Sequence, residues 1–145
     1  MIAEFTIETH LQKLDELTQE LQAYRLSTTF EAFQRNKTLQ YAILHLLHLA
    51  AEAMMTIGEM LISDESLSKP TRPRELFAIL GRAGVIDAAF GEKLGDVVNF
   101  RNVLVHDYLK VDLTKAYAVL EHDLDDLDQF RTAIARYIQE HPQIS

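Results

Sequence analysis

The chain has no cysteine in its 145 residues. Disulfide stabilisation, thiolate catalysis and zinc-finger chemistry are therefore excluded, and the composition fits a reducing compartment. Glycine occurs five times and proline three times, and neither gathers into a Gly-rich phosphate loop or a low-complexity linker. No nucleophilic-serine motif, internal repeat or alternating strand pattern is found. Apolar runs stay short of the roughly 20 unbroken residues of a membrane span, and the amino terminus lacks the basic and apolar regions of a secretory signal. The expectation is a cytoplasmic protein that does not engage a membrane.

Basic residues are also scarce, with 14 Lys and Arg against 22 Asp and Glu and a formal net charge of −8. This balance argues against broad capture of nucleic acid, DNA included, because phosphate binding draws on clustered cations. A site for RNA must then rest on a local basic cleft. Arg72, Arg74, Arg82, Arg101 and Lys110 lie in the middle of the chain, whereas acidic residues concentrate over 121–128.

What the chain does have is apolar residues, 48% of the total, spaced at helical period. The spacing predicts one domain over 1–145 with an all-α fold, an up-and-down bundle of about five helices. The first, over about residues 7–25, aligns Ile7, Leu11, Leu14, Leu17, Leu21 and Tyr24. Thr28-x-x-Glu31 reads as a capping box opening a second helix that runs to about residue 63 and is apolar nearly all round, as a central helix would be. Pro70 and Pro73 interrupt the chain before a short helix ended by Gly84. A fourth helix starts near Asp87, and a fifth spans about 113–139.

The fourth helix carries the most informative pattern. Phe90, Leu94, Val97, Arg101, Leu104 and Tyr108 form one apolar stripe, so an arginine stands where a core residue is expected. The neighbouring stripe, Gly91, Gly95, Val98, Asn102 and His106, pairs two polar residues with a face small enough to accept another backbone. Arg101 keeps its charge at any working pH and presents a fork that matches two phosphate oxygens. Histidine exchanges a proton near neutrality, so His106 suits a general base. RNA carries its own nucleophile, the 2′-OH, and its cleavage needs a base, in-line positioning and charge neutralisation, but no metal. Asn102 would orient the imidazole or the phosphate. Arg101 and His106 lie five residues apart and point about 140° away from each other on an unbroken helix. Either the helix loosens near Leu104, or a second subunit completes the site.

The pattern Arg101-Asn102-x-x-x-His106-x-Tyr108 resembles the signature of the HEPN superfamily, and with Tyr108 it is similar to the HepT-like toxins. The segments 41–62 and 70–73, Glu75-Leu76-Phe77 with Leu80, Gly84-Val85-Ile86-Asp87, Val98-Asn99-Phe100 and Val111-Asp112 extend the resemblance over roughly residues 5–140. It implies a HEPN-like helical bundle and a dimeric, metal-independent endoribonuclease toxin without a cofactor. It further implies that Arg101 and His106 are the catalytic pair. Tyr108 would be the target of adenylylation by a cognate MNT-type nucleotidyltransferase antitoxin.

A rival site is the polar stripe His45, His48, Glu52 and Glu59 on the second helix. Metal-binding bundles supply Glu-x-x-His pairs, and the chain contains none, so no metal is assigned. The stripe reads better as a cleft wall, with His48 and Glu52 facing the motif and Glu52 holding Arg101 until RNA arrives. His10, His122 and His141 read as surface histidines, and the 121–128 acidic run as a solvated face. Two classes of function remain open: a ribonuclease toxin, and a non-catalytic helical partner of a nucleotidyltransferase that uses Arg101 only to hold phosphate. The second needs the arginine alone; the histidine discriminates.

Overall fold

The structure, a computed structural model, describes residues 6–106 and 110–144. Eight α-helices occur among them: α1 (Ile7–Ser27), α2 (Phe30–Arg35), α3 (Lys37–Asp64), α4 (Leu76–Arg82), α5 (Ala88–Lys93), α6 (Gly95–His106), α7 (Leu113–His122) and α8 (Leu124–Glu140). A short 3-10 turn, Pro73–Glu75, leads into α4. The all-α bundle predicted from the spacing is the observed fold, but three of its five expected helices are each divided in two.

Each division has a local cause. Asn36 leaves the helical region (φ −119°, ψ 107°), ends α2 and caps α3 through its side chain, which accepts from the Leu39 amide at 3.0 Å. Gln40 then donates to the carbonyls of Phe33 and Gln34, satisfying acceptors that a helix end leaves open. Leu94 closes α5, and the chain restarts at Gly95. Asp123 separates α7 from α8. The cap at the second helix also differs from the capping box read at Thr28. Thr29 accepts from the Ala32 amide at 3.1 Å, whereas Thr28 belongs to the end of α1 and its carbonyl accepts from the Tyr117 hydroxyl at 2.8 Å. Gly84 ends α4 as expected: its φ of +81° is left-handed, and the Val85 amide returns to the Leu80 carbonyl at 3.0 Å.

The core gathers around α3, which packs on α1, α2, α4, α6 and α8. Ile43, Met54, Ile57 and Leu61 of α3 are fully buried against Leu14 and Leu21 of α1, and Phe77 of α4 meets Phe130 of α8 edge-on at 5.5 Å. Burying each such side chain contributes about 1.5–3 kcal/mol. By length and composition α3 is apolar enough to cross a membrane, and its apolar residues form the interior of this bundle.

The small face of the fourth helix has an occupant within the chain. A Cβ on Gly91 would stand 2.5 Å from the Phe77 carbonyl oxygen of α4, and one on Gly95 would stand 3.4 Å from the Arg74 carbonyl. These glycines let the turn before α4, and α4 itself, lie directly against α5 and α6. That close approach, which the sequence offered equally to a second subunit, fixes the start of the motif helix.

Candidate active site

Val98 and Leu104 of α6 are fully buried, anchoring the helix against the bundle on either side of Arg101. The arginine lies between them by one turn in each direction, so its side chain is directed at α3. It remains 28% exposed.

There it meets Glu52. The Arg101 Nε donates to Glu52 Oε1 at 2.5 Å, and Nη1 donates to Asn102 Oδ1 at 3.1 Å. The same Glu52 oxygen lies 3.4 Å from His48 Nε2, one turn earlier on α3. His48, Glu52, Arg101 and Asn102 therefore form one contact chain across the α3–α6 groove. The Glu52 carboxyl feels partial burial most, which pushes its pKa up. The hydrogen bond and charge of Arg101, joined by those of His48, outweigh burial and hold it below the usual carboxylate range.

Asn102 is engaged with the guanidinium and not with the imidazole. His106 is exposed at the last position of α6, which is continuous from Gly95, so the helix does not loosen at Leu104. Five residues of unbroken helix separate the guanidinium and imidazole by about 7.5 Å along the axis and about 140° around it. The structure thus brings together Arg101, Asn102, Glu52 and His48, and leaves His106 pointing away from them. Tyr108 lies outside the described residues.

His45 stacks edge-on against His48, with ring centroids 6.4 Å apart. Among the described residues, no three His, Asp or Glu side chains converge where a metal ion could sit.

A feature that sequence reasoning missed lies beneath the motif helix. Leu47, Ala51 and Met54 of α3, Val97 and Phe100 of α6, and Leu127 of α8 line an apolar cleft of about 200 Å³. Its rim includes part of the acidic run read as a solvated face. Asp126 is only 17% exposed and pairs with Lys93 at 3.1 Å, and burial together with Asp126 raises the Asp123 pKa. The signal available in the sequence was the position of Asp123 and Asp126 beside Leu124 and Leu127, which turn that part of α8 toward the core.

Comparison with known proteins places these observations in a family. A family model described as ribonuclease HepT-like matches residues 7–134. The mRNA nuclease HepT of Shewanella oneidensis is 30% identical over 98 residues, which cover 68% of this chain and 74% of that protein. The solved structure of a tri-AMPylated Shewanella oneidensis HEPN toxin in complex with an MNT antitoxin is similar at a TM-score of 0.81 and 24% identity, over 93% of this chain and 99% of that one. YutE of Bacillus subtilis, a cytosolic protein of unknown function, is similar at a TM-score of 0.78 and 20% identity, over 97% and 96% of the two chains. At these identities the two structures establish a shared fold. The match over most of the sequence says more: this chain belongs to the HepT-like ribonuclease family.

Proposed function

We propose that the chain is the toxin of a toxin–antitoxin pair: a metal-independent, cytoplasmic endoribonuclease. It cleaves RNA by attack of the substrate's own 2′-OH, and adenylylation of Tyr108 by an MNT-type nucleotidyltransferase antitoxin silences it. The observation that carries this reading is the partly exposed guanidinium of Arg101, held across a groove by a carboxylate. A carboxylate and a phosphate offer an arginine the same pair of acceptor oxygens. RNA that displaces Glu52 gives Arg101 a phosphate to clamp, and the fork neutralises the charge that develops on it.

The base in this reading is His106, whose proton exchange with the 2′-OH starts the in-line displacement. Because His106 diverges from Arg101 on one continuous helix, the functional unit is a homodimer in which two chains complete the cleft. The family likeness and the naming of the Shewanella relative as an mRNA nuclease support this reading. The same divergence favours the second reading, a nucleotide- or phosphate-binding partner of a nucleotidyltransferase, since one chain alone presents the clamp without the base.

Incubation of the unmodified protein with RNA in chelator separates the two. Fragments ending in 2′,3′-cyclic phosphate support the nuclease, and intact RNA bound in an Arg101-dependent way supports the binding module.

A further inference from the structure

Transphosphorylation of RNA needs two proton transfers. One group removes the proton of the 2′-OH, and a second delivers a proton to the departing 5′-oxygen, which is otherwise a poor leaving group. His106 answers only the first need.

The second can be located from Glu52. Its Oε1 accepts from Arg101 Nε at 2.5 Å and lies 3.4 Å from His48 Nε2, so one oxygen position is within reach of both a guanidinium and an imidazole. Glu52 is 35% exposed and can swing into solvent. A phosphodiester that takes its place on Arg101 brings an oxygen to that same position, against His48. We propose that His48 is the general acid of the reaction, a catalytic residue outside the Arg-Asn-x-x-x-His motif. This inference rests on the ribonuclease reading and adds a residue to it.

The step balances. His106, contributed by the second chain of the proposed dimer, accepts the 2′-OH proton as the O2′–P bond forms. The P–O5′ bond breaks, and the protonated His48 gives its proton to O5′, leaving a 2′,3′-cyclic phosphate and a 5′-hydroxyl. Solvent then returns a proton to His48 and takes one from His106.

Three features of the structure fit this assignment. His48 is 23% exposed, open enough to exchange protons with water yet held in place by α3. Glu52 faces it directly, Arg101 meets the same Glu52 oxygen, and the His45 ring packs edge-on against it. The acid also lies beside the phosphate clamp within one chain, whereas the base is on the far side of α6.

A leaving group that needs no proton tests the assignment. An RNA oligonucleotide that the wild-type protein cuts is prepared with oxygen, and separately with a 5′-bridging sulfur, at the scissile linkage. His48→Gln should slow cleavage of the oxygen linkage by about 10²–10⁴ and of the sulfur linkage by less than about tenfold, whereas His106→Gln should slow both alike. In His48→Ala, imidazole added to the buffer should restore part of the lost rate on the oxygen linkage only. Equal losses of His48→Gln on both linkages, or a wild-type rate on oxygen, overturn the role of His48 while wild-type cleavage still upholds the ribonuclease reading. If the wild-type protein cuts no RNA from which such a substrate could be prepared, both fall.

Discussion

Glu52 and Arg101, 49 residues apart in sequence, are joined in an ion pair that ties the middle of α3 to the motif helix α6. The pair occupies the arginine, so on the proposed reading RNA binding is an exchange of one anion for another. The Glu52 carboxylate is 35% exposed, so water screens its hold on the guanidinium.

Glu52→Gln should free the guanidinium and tighten RNA binding at neutral pH by up to about fivefold, the worth of a partly exposed ion pair. Fluorescence anisotropy with labelled RNA checks this, and weaker binding would show that Glu52 assists the substrate. The pair also has a pH signature. The folded-state pKa of Glu52 lies below its unfolded value, so the stability it confers is complete above the unfolded pKa and is lost as pH falls through the folded one. The difference in melting temperature between wild type and Glu52→Gln should therefore shrink as pH drops below the ordinary carboxylate range.

Gly91 and Gly95 make opposite predictions although both lie on the small face. Gly91→Ala forces a methyl group to 2.5 Å from the Phe77 carbonyl oxygen, a backbone atom in a buried helix, and should cost about 1–3 kcal/mol in denaturant unfolding. Gly95→Ala places its methyl at 3.4 Å from the Arg74 carbonyl, close to ordinary contact, and should cost much less. Similar losses at both positions would contradict the packing described.

The homodimer should be visible by light scattering at micromolar concentration. Val103 and Val105 of α6 remain 46% and 42% exposed beside the motif, the kind of apolar surface a second chain covers. Val105→Glu should shift the mass toward monomer and lower RNA cleavage with it, leaving the melting temperature nearly unchanged. A fully active monomer would rule the composite site out.

On the proposed reading Tyr108 is the modified residue, and an AMP group adds a negative phosphate and a purine there. With a cognate nucleotidyltransferase and ATP, intact mass should rise by whole AMP units as cleavage falls. Tyr108→Phe should keep its nuclease activity and resist silencing. If Tyr108→Phe is still modified and silenced, another residue carries the regulation.

The helical class and the central place of α3 were legible because apolar period and near-complete apolarity are local properties of the sequence. The breaks at Asn36, Leu94 and Asp123 were not, since each keeps the apolar stripe in phase and is set by caps and side-chain contacts such as those of Gln40. At the site, the pairing of Glu52 with Arg101 could be anticipated from a polar stripe on a greasy helix opposite a misplaced arginine. The shared oxygen between Arg101 and His48 could not, because it depends on side-chain reach across two helices. Nor could the pairing of Asp126 with Lys93, 33 residues earlier, although the neighbouring Leu124 and Leu127 did signal that this face turns inward.

The most direct test of the central claim is the chemistry of the cut. Unmodified protein, stripped of metal and held in excess chelator, is incubated with RNA, and the fragment ends are identified by mass spectrometry. The account predicts 2′,3′-cyclic phosphate and 5′-hydroxyl ends at undiminished rate in chelator, and a loss of about 10²–10⁴ in His106→Ala. Fragments with 5′-phosphate ends, a requirement for added divalent ion, or equal cleavage by His106→Ala would contradict it.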